Sequence, residues 1–268
     1  MKRFLVWMVL TAVLCVSAGV GLAEQNQPEA DEKIIKTLMG TIEMRRVTEE
    51  DQKRIVAELR ALDIVIPDEA VSQYNSFYAK QTEKRVESGY FDENAFSIME
   101  TPQGFARNIL MSVGLGDYNI LTGIWKPSFS GVYSFDAEVY DIEHMYRQFL
   151  RGVASIVPGF EVSEMKETTE TIEKSSPLTP FKKLLGIDDD VEMIKHVSFT
   201  IHGHTYEKKL TLQDDWFNEK AIRWVNEALA REGFSGRLHV YYDGYQGIIM
   251  IYGDQERSNR IGKLLGWN

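Results

Sequence analysis

The stretch RLHVYYDGYQGIIMIYG, residues 237–253, decides how the chain is layered. Asp243-Gly244 reads as a two-residue hairpin turn of the primed type, which needs positive φ at its centre and pairs Tyr242 with Tyr245. Side chains alternate along a strand. One face then carries Leu238, Val240, Tyr242, Tyr245, Ile249 and Ile251, and the other His239, Tyr241, Gln246, Ile248, Met250 and Tyr252. Both faces are rich in apolar groups, so the hairpin is either covered on two sides or presents an aromatic patch. In the second case His239, Tyr241, Gln246, Met250 and Tyr252 form a candidate surface for a ligand or a protein partner, because aromatic residues are enriched in such contacts.

Working outward, residues 216–231 read as a helix with Phe217, Ala221, Trp224, Val225 and Ala228 on its buried stripe and Asp214 or Asp215 capping its start. A last helix spans 255–265. Upstream, HVSFTIHGHTYEKKL, residues 196–210, changes parity: Val197, Phe199 and Ile201 precede Gly203 on odd numbers, whereas Tyr206, Leu210 and Leu212 follow on even ones. That switch marks a second hairpin, turning at His202-Gly203 or Gly203-His204. On a straight strand His202 and His204 would share a face and could share a metal; at a corner they are expected to point apart. They remain weak metal candidates, because tetrahedral zinc needs further ligands that the sequence does not locate.

Before these hairpins, Tyr133, Phe135, Ala137 and Val139 alternate with Ser134, Asp136 and Glu138, the pattern of a half-buried strand. A helix follows, capped by Asp141 and ended by Pro158, and then a strand over 160–172. The connection 173–192 is long for a compact domain. Residues 24–126 read as helical. Apolar residues recur at helical spacing over 34–42, again over 55–62 after Thr48-Glu49-Glu50-Asp51, and again from Pro67-Asp68, where Val71, Tyr74, Phe77 and Tyr78 form the expected buried face. A fourth helix starts at Thr101-Pro102. The fold class is α+β: a helical region over 24–126, then an antiparallel-sheet domain over 127–268 in which two hairpins flank a helix.

The first 23 residues have the plan of a secretory signal: Lys2-Arg3, an apolar run over 4–16 and a small-residue end that favours cleavage between Ala23 and Glu24. The alternative is an uncleaved membrane anchor over 4–23. Export without cysteine in the mature chain suggests a bacterial envelope, since Cys15 is the only one in the sequence. Loss of residues 1–23 removes Lys2, Arg3 and no acid, leaving 28 basic against 40 acidic residues, a net charge of −12. That balance argues against nucleic acid, whose affinity comes largely from Lys and Arg on phosphates. It argues equally against adsorption to an anionic membrane face.

Catalytic constellations are sparse. Asp136 and Glu138 share one strand face and are weak candidates for a general acid and base, although a solvated face gives the same pattern. The acidic run Asp188-Asp189-Asp190 lacks the spacing of a calcium loop. Phe129-Ser130-Gly131 has no nucleophile-elbow context. No motif calls for a cofactor.

GVYSFDAEV (131–139), MYRQFLRG (145–152), DDWFN (214–218) and DGYQ (243–246) together resemble a set of uncharacterised predicted exported proteins of Gram-positive bacteria. The resemblance implies export and an α+β domain and carries no catalytic residue. The expected function is that of a non-enzymatic extracytoplasmic binding or interaction protein for an unknown protein or small-molecule ligand. The alternatives are an envelope hydrolase using Asp136, Glu138 or a histidine-bound metal, and a membrane-anchored regulatory or structural protein.

Overall fold

A computed structural model of the chain describes residues 45–87, 100–119, 124–138, 141–173, 191–212 and 215–267. The apolar start of the chain, the expected helix over 34–42, the acidic run at 188–190, Val139 and Asp214 lie outside these residues. The fold is α+β.

Among the described residues three helices come first, namely α1 (Glu49–Arg60), α2 (Asp68–Glu87) and α3 (Pro102–Gly114). The α1 start is a reciprocal capping box. The Asp51 amide donates to Thr48 Oγ1 at 3.2 Å and the Thr48 amide to Asp51 Oδ2 at 2.9 Å, which satisfies two of the amides a helix leaves unpaired. Thr101 does the same for α3, its hydroxyl accepting from the Gly104 amide at 3.0 Å. On α2, Tyr74 is buried as expected but Phe77 is exposed, so the buried face is narrower than the spacing suggests.

A short ribbon of β1 (Asp117–Asn119) and β2 (Ile124–Lys126) leads to the central sheet. That sheet is antiparallel, in the order β3 (Val132–Asp136), β8 (Gly247–Gly253), β7 (Arg237–Tyr242). Both of its faces are covered. Ile249, Ile251, Val132 and Tyr241 pack with the apolar faces of α1, α2, α3 and α6 (Gln255–Leu265). Ile248, Met250, Tyr133 and Leu238 pack with α4 (Met145–Ile156) and α5 (Lys220–Arg231). The expectation of a half-buried β3 therefore needs correction: Ser134 is buried too, its hydroxyl donating to the Leu110 carbonyl of α3 at 3.1 Å. Across α4 the approach is close enough that a Cβ on Gly152 would stand 2.3 Å from the Tyr133 ring.

The second sheet, β4 (Ser163–Glu173), β5 (Val191–Ile201) and β6 (His204–Leu212), is antiparallel in that order. Its inner face adds Val197, Phe199, Ile201, Leu210 and Leu212 to the core under α4 and α5. One ion pair is sealed into this layer. Lys195 Nζ lies 3.3 Å from Glu167 Oε1, with 1% and 0% of the two side chains exposed. The other Glu167 oxygen accepts from the amides of Tyr146 at 3.1 Å and Arg147 at 3.0 Å, the first turn of α4. Burial pushes the Glu167 carboxyl up, against the pull of those amides and of Lys195.

The 237–253 hairpin differs from expectation in its turn. Tyr242 pairs with Ile248, not Tyr245. The Asp243 carboxylate accepts from the amides of Tyr245 at 2.7 Å and Gly247 at 3.0 Å, and the Asp243 amide donates to the Gly247 carbonyl at 3.0 Å. The side chain thus closes a longer loop over 243–246. A register shift of three residues is odd, so it moves Ile249 and Ile251 to the face opposite Tyr242.

Candidate functional site

Between β5 and β6 the chain turns in two residues, His202 at φ 49° and Gly203 at φ 83°, with Ile201 opposite His204. The parity switch is thereby accounted for as a primed turn. The histidines, however, do not point apart. His202 Nδ1 lies 3.0 Å from one oxygen of Glu232 and His204 Nδ1 2.9 Å from the other, and the Tyr206 hydroxyl donates to the same carboxylate. Glu232 follows the last turn of α5 and its side chain is 5% exposed. The Tyr206 hydroxyl first, and then the two imidazoles, hold the Glu232 carboxyl below its ordinary value against the effect of burial. Burial and that same hydrogen bond push the Tyr206 phenol up to about 12. Among the described residues no group of three or more His, Cys, Asp or Glu is placed to hold a metal ion, and Glu232 sits here as a carboxylate between two imidazoles.

This clasp ties the turn to the end of α5. A second tie stands at the other end of β6, where Asn218 Nδ2 donates to the Thr211 carbonyl at 2.7 Å. Between them a groove of about 220 Å³ runs along the outer edge of β6, lined by Thr205, Tyr206, Glu207 and Lys208 on the strand side. The α5 side is lined by Trp224, Glu227, Ala228 and Arg231, which are one face of that helix at spacings of three and four. Phe199 stacks on Tyr206 and meets Trp224 edge-on, so the core itself braces the groove floor.

The backbone of β6 completes the geometry. In a hairpin closed by a two-residue turn the closing pair exchanges hydrogen bonds, and hydrogen-bonded pairs then alternate with unbonded ones. With Ile201 opposite His204, residues 204, 206, 208 and 210 bond to β5. Thr205, Glu207, Lys209 and Thr211 therefore direct their amides and carbonyls outward. The Thr211 carbonyl meeting Asn218 agrees with this parity. Among the described residues β6 ends its sheet, so the outward groups of Thr205 and Glu207 face the groove.

The residues singled out from sequence fall elsewhere. His239 and Tyr241 share a face of β7, with the Tyr241 hydroxyl donating to the Ser258 carbonyl at 2.7 Å and His239 Nε2 3.2 Å from the Gly253 carbonyl. Met250 and Tyr252 lie on the opposite face, Met250 fully buried and Tyr252 accepting from the Gly236 amide at 2.9 Å. Gln246 is in the loop, where its amide donates to Glu138 at 2.8 Å. The five therefore do not make one surface, because the register shift divides them and both sheet faces are covered. Asp136 and Glu138 remain exposed and close in sequence, the Glu138 amide donating to Asp136 at 3.0 Å. Ser130 is buried and donates to the Val113 carbonyl at 2.7 Å. Asp215 does not cap α5; that helix begins at Lys220, whose amide meets the Asn218 side chain at 3.0 Å. His144 and His196 are occupied singly, by Asp141 and Glu170. No helix among the described residues is long and apolar enough to cross a membrane.

Sequence reasoning missed the groove. Trp224 and Ala228 read as ordinary core positions, and Glu232 carries no local signal that it meets a turn 28 residues away in sequence from His204. Comparisons with protein-family models, with curated proteins and with solved structures find no match to this chain.

Proposed function

We propose that the chain is a non-enzymatic extracytoplasmic binding protein that takes an extended peptide segment by strand addition at β6. The observation that carries this reading is the edge of β6 at Thr205 and Glu207, which no other strand among the described residues pairs and which polar ties at both ends hold beside α5. An added strand would use the outward amides and carbonyls for affinity and the groove for selecting alternate side chains. A volume of about 220 Å³ is below the range usual for drug-sized ligands and suits one or two side chains of an extended segment. Placement outside the cytoplasm rests on the signal-like residues 1–23.

The test is fluorescence anisotropy of labelled, extended hexapeptides against the purified protein and its Glu207→Pro variant. The Glu207 amide points outward, so proline there leaves the β5 ladder intact and is tolerated as at other sheet edges. Binding that Glu207→Pro and backbone N-methylation of the peptide both abolish, with the thermal midpoint held, is the expected result. Failure of every peptide to bind, or indifference to both changes, refutes strand addition.

A further inference from the structure

Three successive residues on the open edge, Glu207, Lys208 and Lys209, form no salt bridge and no side-chain hydrogen bond among the described residues. Their neighbours across the groove, Glu227 and Arg231, likewise form no ion pair among the described residues. The three edge residues stand where a paired strand would lie directly opposite them.

We infer that the ligand of the groove is a peptide carrying two acidic residues followed by a basic and then an apolar one, read from its N-terminus. The inference rests on strand addition at β6 and specifies what that edge selects. In an antiparallel pair, residues directly opposite one another share a face and interact. A strand running against β6 meets Lys209, Lys208, Glu207 and Tyr206 in that order along its own direction. Opposite charge is favoured at the first three, which gives acid, acid, base. The fourth residue faces the groove over the half-buried Tyr206 ring, where an apolar side chain is favoured. The residue opposite Lys208 points to the same groove side, where Arg231 is a second cation beside the anions Glu207 and Glu227. The residue opposite Glu207 points to the outer face of the sheet.

Three hexapeptides make the test: TEEKVT, its charge-swapped counterpart TKKEVT, and the neutral TQQQVT, each titrated against the wild-type protein and against the triple variant Glu207→Lys, Lys208→Glu, Lys209→Glu. Each directly opposed charge pair is worth roughly 0.2–1 kcal/mol, and swapping turns three attractions into repulsions. TEEKVT should therefore bind at least about tenfold more tightly than TKKEVT, with TQQQVT between them, and the triple variant should reverse the order. Equal affinities for all three, sensitive to N-methylation, would leave strand addition standing and overturn the charge rule. No binding by any of the three would remove both. If sedimentation instead shows the protein self-associating through this edge, with Glu207→Pro monomeric, the occupant is a second copy and the peptide proposal falls.

Discussion

Replacing Lys195 with methionine should be the most damaging single change on the inner face of the second sheet. The ammonium is 3.3 Å from Glu167, and the pair is sealed from solvent at 1% and 0% exposure. Methionine fills much of the same volume, so the cost is electrostatic. Removing one member of a buried pair strands the other charge and typically costs 3–5 kcal/mol, roughly 6–20 °C of midpoint for a chain of this size. The direction with pH is also fixed. Glu167 already has its carboxyl pushed up by burial, and without Lys195 it rises further. A carboxyl raised in the folded state contributes stability that is present below its unfolded value near 4.3 and is lost as pH rises through the folded value. Lys195→Met should therefore be most destabilised near pH 7 and approach the wild type as the pH falls towards 4. Adding Glu167→Gln, which keeps an oxygen for the Tyr146 and Arg147 amides, should restore most of the loss at pH 7. The assay is urea unfolding of the two variants and the wild type at pH 7 and pH 5. A Lys195→Met deficit under about 1 kcal/mol at pH 7, or one that is unchanged at pH 5, would refute the reasoning.

Gly152→Ala should cost about 1–3 kcal/mol by urea titration, since the new Cβ meets the buried Tyr133 ring at 2.3 Å and neither element can move freely. For the clasp, the Glu232 carboxyl is held low in the folded state, so its contribution is present above its unfolded value and fades as pH falls through the folded one. Glu232→Gln should accordingly lower the thermal midpoint at pH 7 and make less difference at pH 3, a comparison that differential scanning fluorimetry can make.

The sequence was most readable where polarity alternates cleanly and a glycine marks the break. The parity change across Gly203 located the β5–β6 turn, because Val197, Phe199 and Ile201 all face the core. The 237–253 hairpin was legible as a hairpin but not in its register. Ile248, Ile249, Met250 and Ile251 are all fully buried, so the apolar run fits either face and only the Asp243 side chain decides the turn. The groove was not legible at all. Its parts are ordinary on their own elements, and what joins them is Glu232, whose partners come from a different element.

The strand β8 has a consequence for how the molecule assembles. Its successive side chains enter two separate apolar clusters, Ile248 and Met250 one, Ile249 and Ile251 the other. Val132 pairs with Ile251 and Phe135 with Ile248, so the partner that completes β3 lies far downstream of it in the chain. Neither cluster can close before that segment emerges, and neither can open later without exposing the other. The chain should therefore fold slowly, through distant contacts. Once formed, it should melt in one calorimetric transition with no stable half.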